Sequence, residues 1–130
     1  MSRSIKVRVY YEDTDCGGVV YYANYLRYFE RARTEYLRER GVDLVALMEN
    51  GILFVVKKVR IDYLSSARYN DLLTIETEVK AGRASLGFSH TIKRDDLVIV
   101  NGVCSLACVG RNGRPIRLPV DVKETLIRNE

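Results

Sequence analysis

The sequence predicts an α+β fold in which one long helix lies against an antiparallel sheet. Three observations predict it: one strand-like alternation at the start, one long stretch with helical spacing after it, and then a run of strand-like segments separated only by short turn signals. Strands joined by tight turns pair antiparallel, and a sheet with one apolar face needs a covering element, which only the long helix is large enough to supply. A chain of 130 residues is the size of one domain, so a single domain over 1–130 is expected, and a 47% hydrophobic composition is sufficient to build its core.

The elements follow in order. Ile5, Val7, Val9 and Tyr11 alternate with Lys6, Arg8 and Tyr10, the two-residue period of a half-buried strand over 5–11. Residues 12–18, Glu-Asp-Thr-Asp-Cys-Gly-Gly, concentrate turn formers and read as a loop. Tyr25, Tyr28, Phe29, Ala32, Tyr36 and Leu37 then recur at helical spacing, which predicts a helix over 24–40 with Asn24 as N-cap, Gly41 as stop and the tyrosines on its buried face. Asp43 is positioned to cap a short helix carrying Leu44, Leu47 and Met48, which Asn50-Gly51 ends. Strands are expected over 54–64, 72–81, 85–94 and 97–109, with turns at Gly82-Arg83, Asp95-Asp96 and Asn112-Gly113, and a short helix over 121–128 after Pro119. Counting four or five strands after the helices, the sheet has up to six.

Composition narrows the functional classes. No apolar run approaches the ~20 residues of a membrane span, and the first residues lack a secretory pattern, so a cytoplasmic protein without a transmembrane segment is expected. Cys16, Cys104 and Cys108 are odd in number and unsuited to a disulfide framework; the last two, four apart on a strand and so ~13 Å from each other, read as buried hydrophobes. The net charge of +4 is spread over scattered cations rather than a dense run, which favours a compact phosphate-bearing ligand over nucleic acid.

The segment with chemical content is 11–25, where Glu12, Asp13 and Asp15, the pair Gly17-Gly18 and the tyrosines Tyr11, Tyr21, Tyr22 and Tyr25 precede the long helix. A helix start offers unpaired N–H groups and positive potential to a developing oxyanion, glycines admit a ligand close to the backbone, and a carboxylate in the loop can attack an acyl group or deprotonate water. Asp15 is the candidate base or nucleophile. Asp13 and Glu12 read as solvated loop charges, and Cys16 is a rival nucleophile with no histidine near it in sequence. His90, the one histidine, falls in the alternation Leu86, Phe88, His90, Ile92, which predicts a partly buried structural role and argues against a histidine-based triad.

From Thr14-Asp15-Cys16-Gly17-Gly18-Val19-Val20-Tyr21 through Asn24-Tyr25 to Glu30-Arg31-Ala32-Arg33-Thr34-Glu35, and on through 59–63, Ala67 and Asp71, the sequence resembles the hot-dog thioesterases of the 4-hydroxybenzoyl-CoA thioesterase type, nearest their Tol-Pal-associated acyl-CoA thioesterase branch. The resemblance implies a helix wrapped by an antiparallel sheet, homodimers with a continuous sheet that pair into homotetramers, and acyl-CoA hydrolysis with no metal and no cofactor beyond the CoA of the substrate. By position it implies Asp15 as the catalytic carboxylate and Tyr11 as an active-site tyrosine. Tyr22 stands where many relatives carry histidine, so its main-chain N–H, rather than its side chain, is the group implied to polarise the thioester carbonyl. Gly17 and Gly18 border the substrate, and Arg83, Lys57, Lys58 and Arg68 are the cations available to CoA phosphates, Arg83 first among them. The competing readings are a non-catalytic acyl-CoA or acyl-carrier binding module and, on charge alone, a nucleic-acid binder.

Overall fold

The structure is a computed structural model and describes residues 3–128. Strand β1 (Arg3–Arg8) is followed by a short 3-10 turn (Tyr11–Asp13), helix α1 (Asn24–Glu39), helix α2 (Leu44–Glu49), strands β2 (Leu53–Tyr63), β3 (Leu72–Ala81), β4 (Ser85–Arg94) and β5 (Leu97–Val109), and helix α3 (Val120–Arg128). The strands form one antiparallel sheet in the order β1-β3-β4-β5-β2. It has five strands rather than the upper expectation of six: after the Gly113 turn (φ +77°) the chain makes only an isolated bridge from Pro115 to Val109.

The two-residue period of β3, β4 and β5 puts Leu73, Ile75, Thr77 and Val79, then Leu86, Phe88, His90 and Ile92, then Val100, Gly102, Cys104, Leu106 and Cys108 on one buried face. Helix α1 lies over it with Tyr25, Tyr28, Phe29, Ala32, Tyr36 and Leu37 buried. One close approach is at Gly102. A Cβ there would stand 2.4 Å from the Phe29 ring, so the absence of a side chain is what lets the helix settle onto β5. Thr77, His90 and Gly102 are register neighbours across β3, β4 and β5, and the Phe29 ring stacks on His90 with centroids 4.6 Å apart.

Local signals ended the elements mostly where the residues indicate. Gly41 (φ +80°) stops α1, Asp43 accepts the Ala46 N–H at 3.0 Å to cap α2, and Gly51 (φ +78°) ends it. The start of α1 differs from expectation. Ala23 occupies the N-cap position with helical angles and no side-chain bond, while Asn24 is the first helical residue and spends its amide on the Asp13 carbonyl at 2.8 Å. The first strand also stops at Arg8, so Tyr11 leaves the alternation and is 79% exposed.

Candidate active site

The loop before α1 is a small hairpin. Thr14 bridges Val20, the Asp15 N–H donates to the Val19 carbonyl at 2.9 Å, the Tyr21 N–H donates to the Asp13 carbonyl at 2.9 Å, and the Gly18 N–H closes the tip on the Asp15 carbonyl at 3.0 Å. Gly18 has φ +80°, a conformation that L side chains rarely adopt, and nothing lies within 4 Å of where its Cβ would be. Gly17 is needed differently. Its N–H donates to Asp15 Oδ1 at 2.8 Å, and a Cβ there would meet that oxygen at 3.2 Å. The carboxylate is therefore held in its own turn by one oxygen and stays exposed, with Asp15 Oδ2 without a donor among the described residues.

Two anchors hold the hairpin. Val20 is 4% exposed and its N–H donates to the Ala67 carbonyl at 2.8 Å, beside the Val19–Arg68 bridge. That supporting segment is itself organised by Asp71, whose Oδ2 accepts from the Arg68 N–H at 2.9 Å and from Arg94 at 2.9 Å. The other anchor is Asp13, expected as a solvated charge and found as a structural acceptor. Its Oδ2 takes the Tyr10 N–H and the hydroxyl of fully buried Tyr28, both at 2.9 Å. Burial and then this bond push the Tyr28 phenol well above its ordinary range.

Past the hairpin, Tyr22 projects its ring to solvent and its carbonyl accepts from the Tyr63 hydroxyl at 3.2 Å, with the two rings edge to face at 6.1 Å. The Tyr22 amide N–H meets no acceptor among the described residues. It stands just ahead of a sixteen-residue helix whose N-cap makes no side-chain bond and whose first turn carries no acid. Acidic or capping residues ordinarily neutralise that end. The Tyr21 ring packs tilted on Tyr22 with centroids 4.9 Å apart, and its phenol is raised first by the neighbouring Tyr22 and last by the charge of Asp15.

The expected residues divide. Asp15, Gly17, Gly18, Tyr22 and Arg68 come together, and Tyr11 lies at the hairpin base, edge to face with Tyr69 at 5.9 Å. Lys57 and Lys58 are exposed at a register irregularity in the middle of β2. Arg83 is exposed beyond the far end of β3, a ten-residue strand ~33 Å long whose near end, Leu72, adjoins Arg8 and the loop. Within one chain Arg83 is therefore remote from Asp15. Tyr63 is the site residue the sequence does not reveal, because its contact with Tyr22 depends on β2 returning past the helix start. Cys16 is exposed, and the histidine is elsewhere: His90 is 1% exposed, buried outright rather than partly, with its Nδ1 3.1 Å from the Thr77 hydroxyl. Among the described residues no group of three or more His, Cys, Asp or Glu side chains is placed to hold a metal ion.

Residues 17–100 match the thioesterase superfamily. The chain is 46% identical over 123 residues to an acyl-CoA thioesterase of Haemophilus influenzae, covering 92% of this chain and 90% of that one. It is 47% identical over 96 residues to an acyl-CoA thioester hydrolase of Escherichia coli O157:H7, covering 73% and 72%. A probable thioesterase from Bartonella henselae has a similar structure, with TM-score 0.88, 33% identity, and 92% and 100% of the two chains covered.

Proposed function

The chain belongs to the thioesterase superfamily, with its hot-dog fold, and on that premise we propose that it hydrolyses acyl-CoA thioesters to a carboxylic acid and CoA. The observation that carries the chemistry is the uncapped, acid-free start of α1 beside an exposed carboxylate on a tight hairpin. The thioester carbonyl accepts the Tyr22 N–H at the positive helix end, which stabilises the oxyanion. Asp15 then acts in one of two ways. As a base it takes a proton from water while the water oxygen bonds to the acyl carbon, the C–S bond breaks, and CoA departs as a thiolate that takes up a proton. As a nucleophile it bonds to the acyl carbon itself, the C–S bond breaks and CoA leaves as the thiolate, and water then cleaves the resulting anhydride to release the acid and restore the carboxylate.

Arg68, bridged to Val19 of the hairpin, is the candidate cation beside the reacting groups in this chain; Arg83, Lys57 and Lys58 serve CoA phosphates across an oligomer. Asp15 lines none of the four clefts described along α1, and its open surface supports a homodimer or homotetramer in which another subunit encloses the substrate. The three free cysteines support a cytoplasmic setting. No helix among the described residues is long and apolar enough to cross a membrane.

The test is release of free thiol from a panel of short-chain, long-chain and aromatic acyl-CoAs. Asp15→Asn keeps the shape and removes the charge, so turnover of the best substrate falls at least about a hundredfold while Cys16→Ala stays active. An active Asp15→Asn with a dead Cys16→Ala makes the thiol the nucleophile. Binding of CoA without thiol release from any acyl-CoA makes the protein a binding module. Rapid-quench trapping of an acyl-enzyme on Asp15 separates the nucleophile from the base.

A further inference from the structure

Between the middle of α1, helix α2 and strands β2, β4 and β5 lies a cleft of about 350 Å³ that the proposed chemistry does not use. Its walls are mostly apolar, with Leu37, Leu44, Ile52, Phe54, Phe88 and Leu106 among them. One cation, Arg33, lines it and is only 9% exposed. Among the described residues no ion pair includes Arg33, and the Cys104 thiol, whose proximity favours the guanidinium, is a weak acceptor for a group with five donors. Glu30, one turn earlier, also lines the cleft from its exposed side and favours the charged guanidinium, while one of its carboxylate oxygens accepts the Thr34 hydroxyl at 3.2 Å. His90 adds no second charge, because burial and then Arg33 push it down to about 3 and keep it neutral.

A buried cation without a partner is costly, and burial accordingly lowers the Arg33 guanidinium from its ordinary value. The arrangement is complementary to an anion that arrives on an apolar stem: the planar fork accepts both oxygens of a carboxylate, and the walls accept the chain. We propose that this cleft binds a carboxylate carried on a short apolar chain, with Arg33 taking the carboxylate. Two sources share that chemistry. One is the far end of the acyl group, which makes the substrate a dicarboxylic acyl-CoA and rests on the hydrolase reading above. The other is a free carboxylic acid, the class of product that hydrolysis releases.

The test pairs substrates and free acids of matched length on the intact protein and on two variants. Arg33→Met keeps the bulk without the charge, and Arg33→Lys keeps the charge without the fork. For the first source, glutaryl-CoA and adipoyl-CoA are preferred over pentanoyl-CoA and hexanoyl-CoA, and Arg33→Met lowers that preference about tenfold to a hundredfold, as loss of a charge-assisted bond does. For the second, hexanoate raises the melting temperature and hexanamide does not, Arg33→Met abolishes the difference, and no preference among the acyl-CoAs is seen. Arg33→Lys keeps part of either effect. The thermal measurement holds whether or not the protein hydrolyses any thioester, so failure of the hydrolase reading and failure of this site are distinguishable. The proposal is overturned if parent and Arg33→Met treat carboxylate and neutral ligands alike, or if neither carboxylate class is favoured by the parent and Arg33→Met changes the mass in sedimentation, because a second copy then fills the cleft.

Discussion

At the scale of single residues, the polar groups of this protein act by where their protons and lone pairs are engaged. At Tyr22 the group proposed to act is the amide rather than the side chain, and no acceptor meets that amide among the described residues. Tyr22→Phe is therefore expected to lower kcat by less than about fivefold, against the hundredfold or more that loss of a proton-transferring side chain brings. A hundredfold loss in steady-state kinetics moves the role to the hydroxyl. His90 makes a prediction about pH. The folded protein holds it neutral down to about 3, whereas the unfolded chain protonates near 6.5, so between these values the unfolded state binds more protons. Its contribution is fully present above 6.5 and is lost by about 1.4 kcal/mol per pH unit as the pH falls through that window. Denaturant titrations from pH 6.5 to 5 should show a slope that His90→Phe reduces by about one proton; an unchanged slope assigns the pH dependence to other groups.

At the scale of elements, what was legible in the sequence is what local chemistry determines. The bounds of β3, β4 and β5 followed from β-branched and aliphatic runs between turn residues, and α1 from its apolar spacing, because each signal lies within the element itself. The start of α1 was misread because Asn24, a good cap in isolation, is drawn instead to the Asp13 carbonyl eleven residues earlier. Asp13 was misread for the same reason, since its partner Tyr28 lies a turn inside the helix and becomes its neighbour only after the hairpin folds back. At the candidate site, the tight turn that holds Asp15 with Gly17 and Gly18 was legible from its run of turn formers, whereas Tyr63 and the cleft around Arg33 arise from β2 and α2 packing on α1. Gly102 belongs with this second group. In a strand it reads as a weak spot, and the structure shows it as the seat of the Phe29 ring. Gly102→Ala should destabilise by about 1–3 kcal/mol, the usual cost of overpacking, measured by denaturant midpoint with an unchanged m-value.

At the scale of the whole molecule, the sheet has two unequal edges. β1 is six residues long, but β2 is eleven and exposes Val55, Val56 and Val59 at 45%, 50% and 39%. Long apolar edges template pairing with another chain, and the register irregularity and the lysines at 57 and 58 interrupt this one only in the middle. Two β2 edges paired antiparallel about a two-fold axis satisfy both copies at once, an isologous interface. The same strand ends at Tyr63, whose hydroxyl holds the Tyr22 carbonyl, so a second chain along β2 comes to lie beside the open Asp15 hairpin. On this proposed pairing, assembly and catalysis are one property. Sedimentation is expected to show no monomer at micromolar concentration, and Val59→Lys, which places a charge on the edge, should yield monomers that keep their far-ultraviolet circular dichroism but lose thioester hydrolysis in step with dissociation. Full turnover by a Val59→Lys monomer would place a complete site within one chain, and a parent that sediments as a monomer would remove the interface altogether.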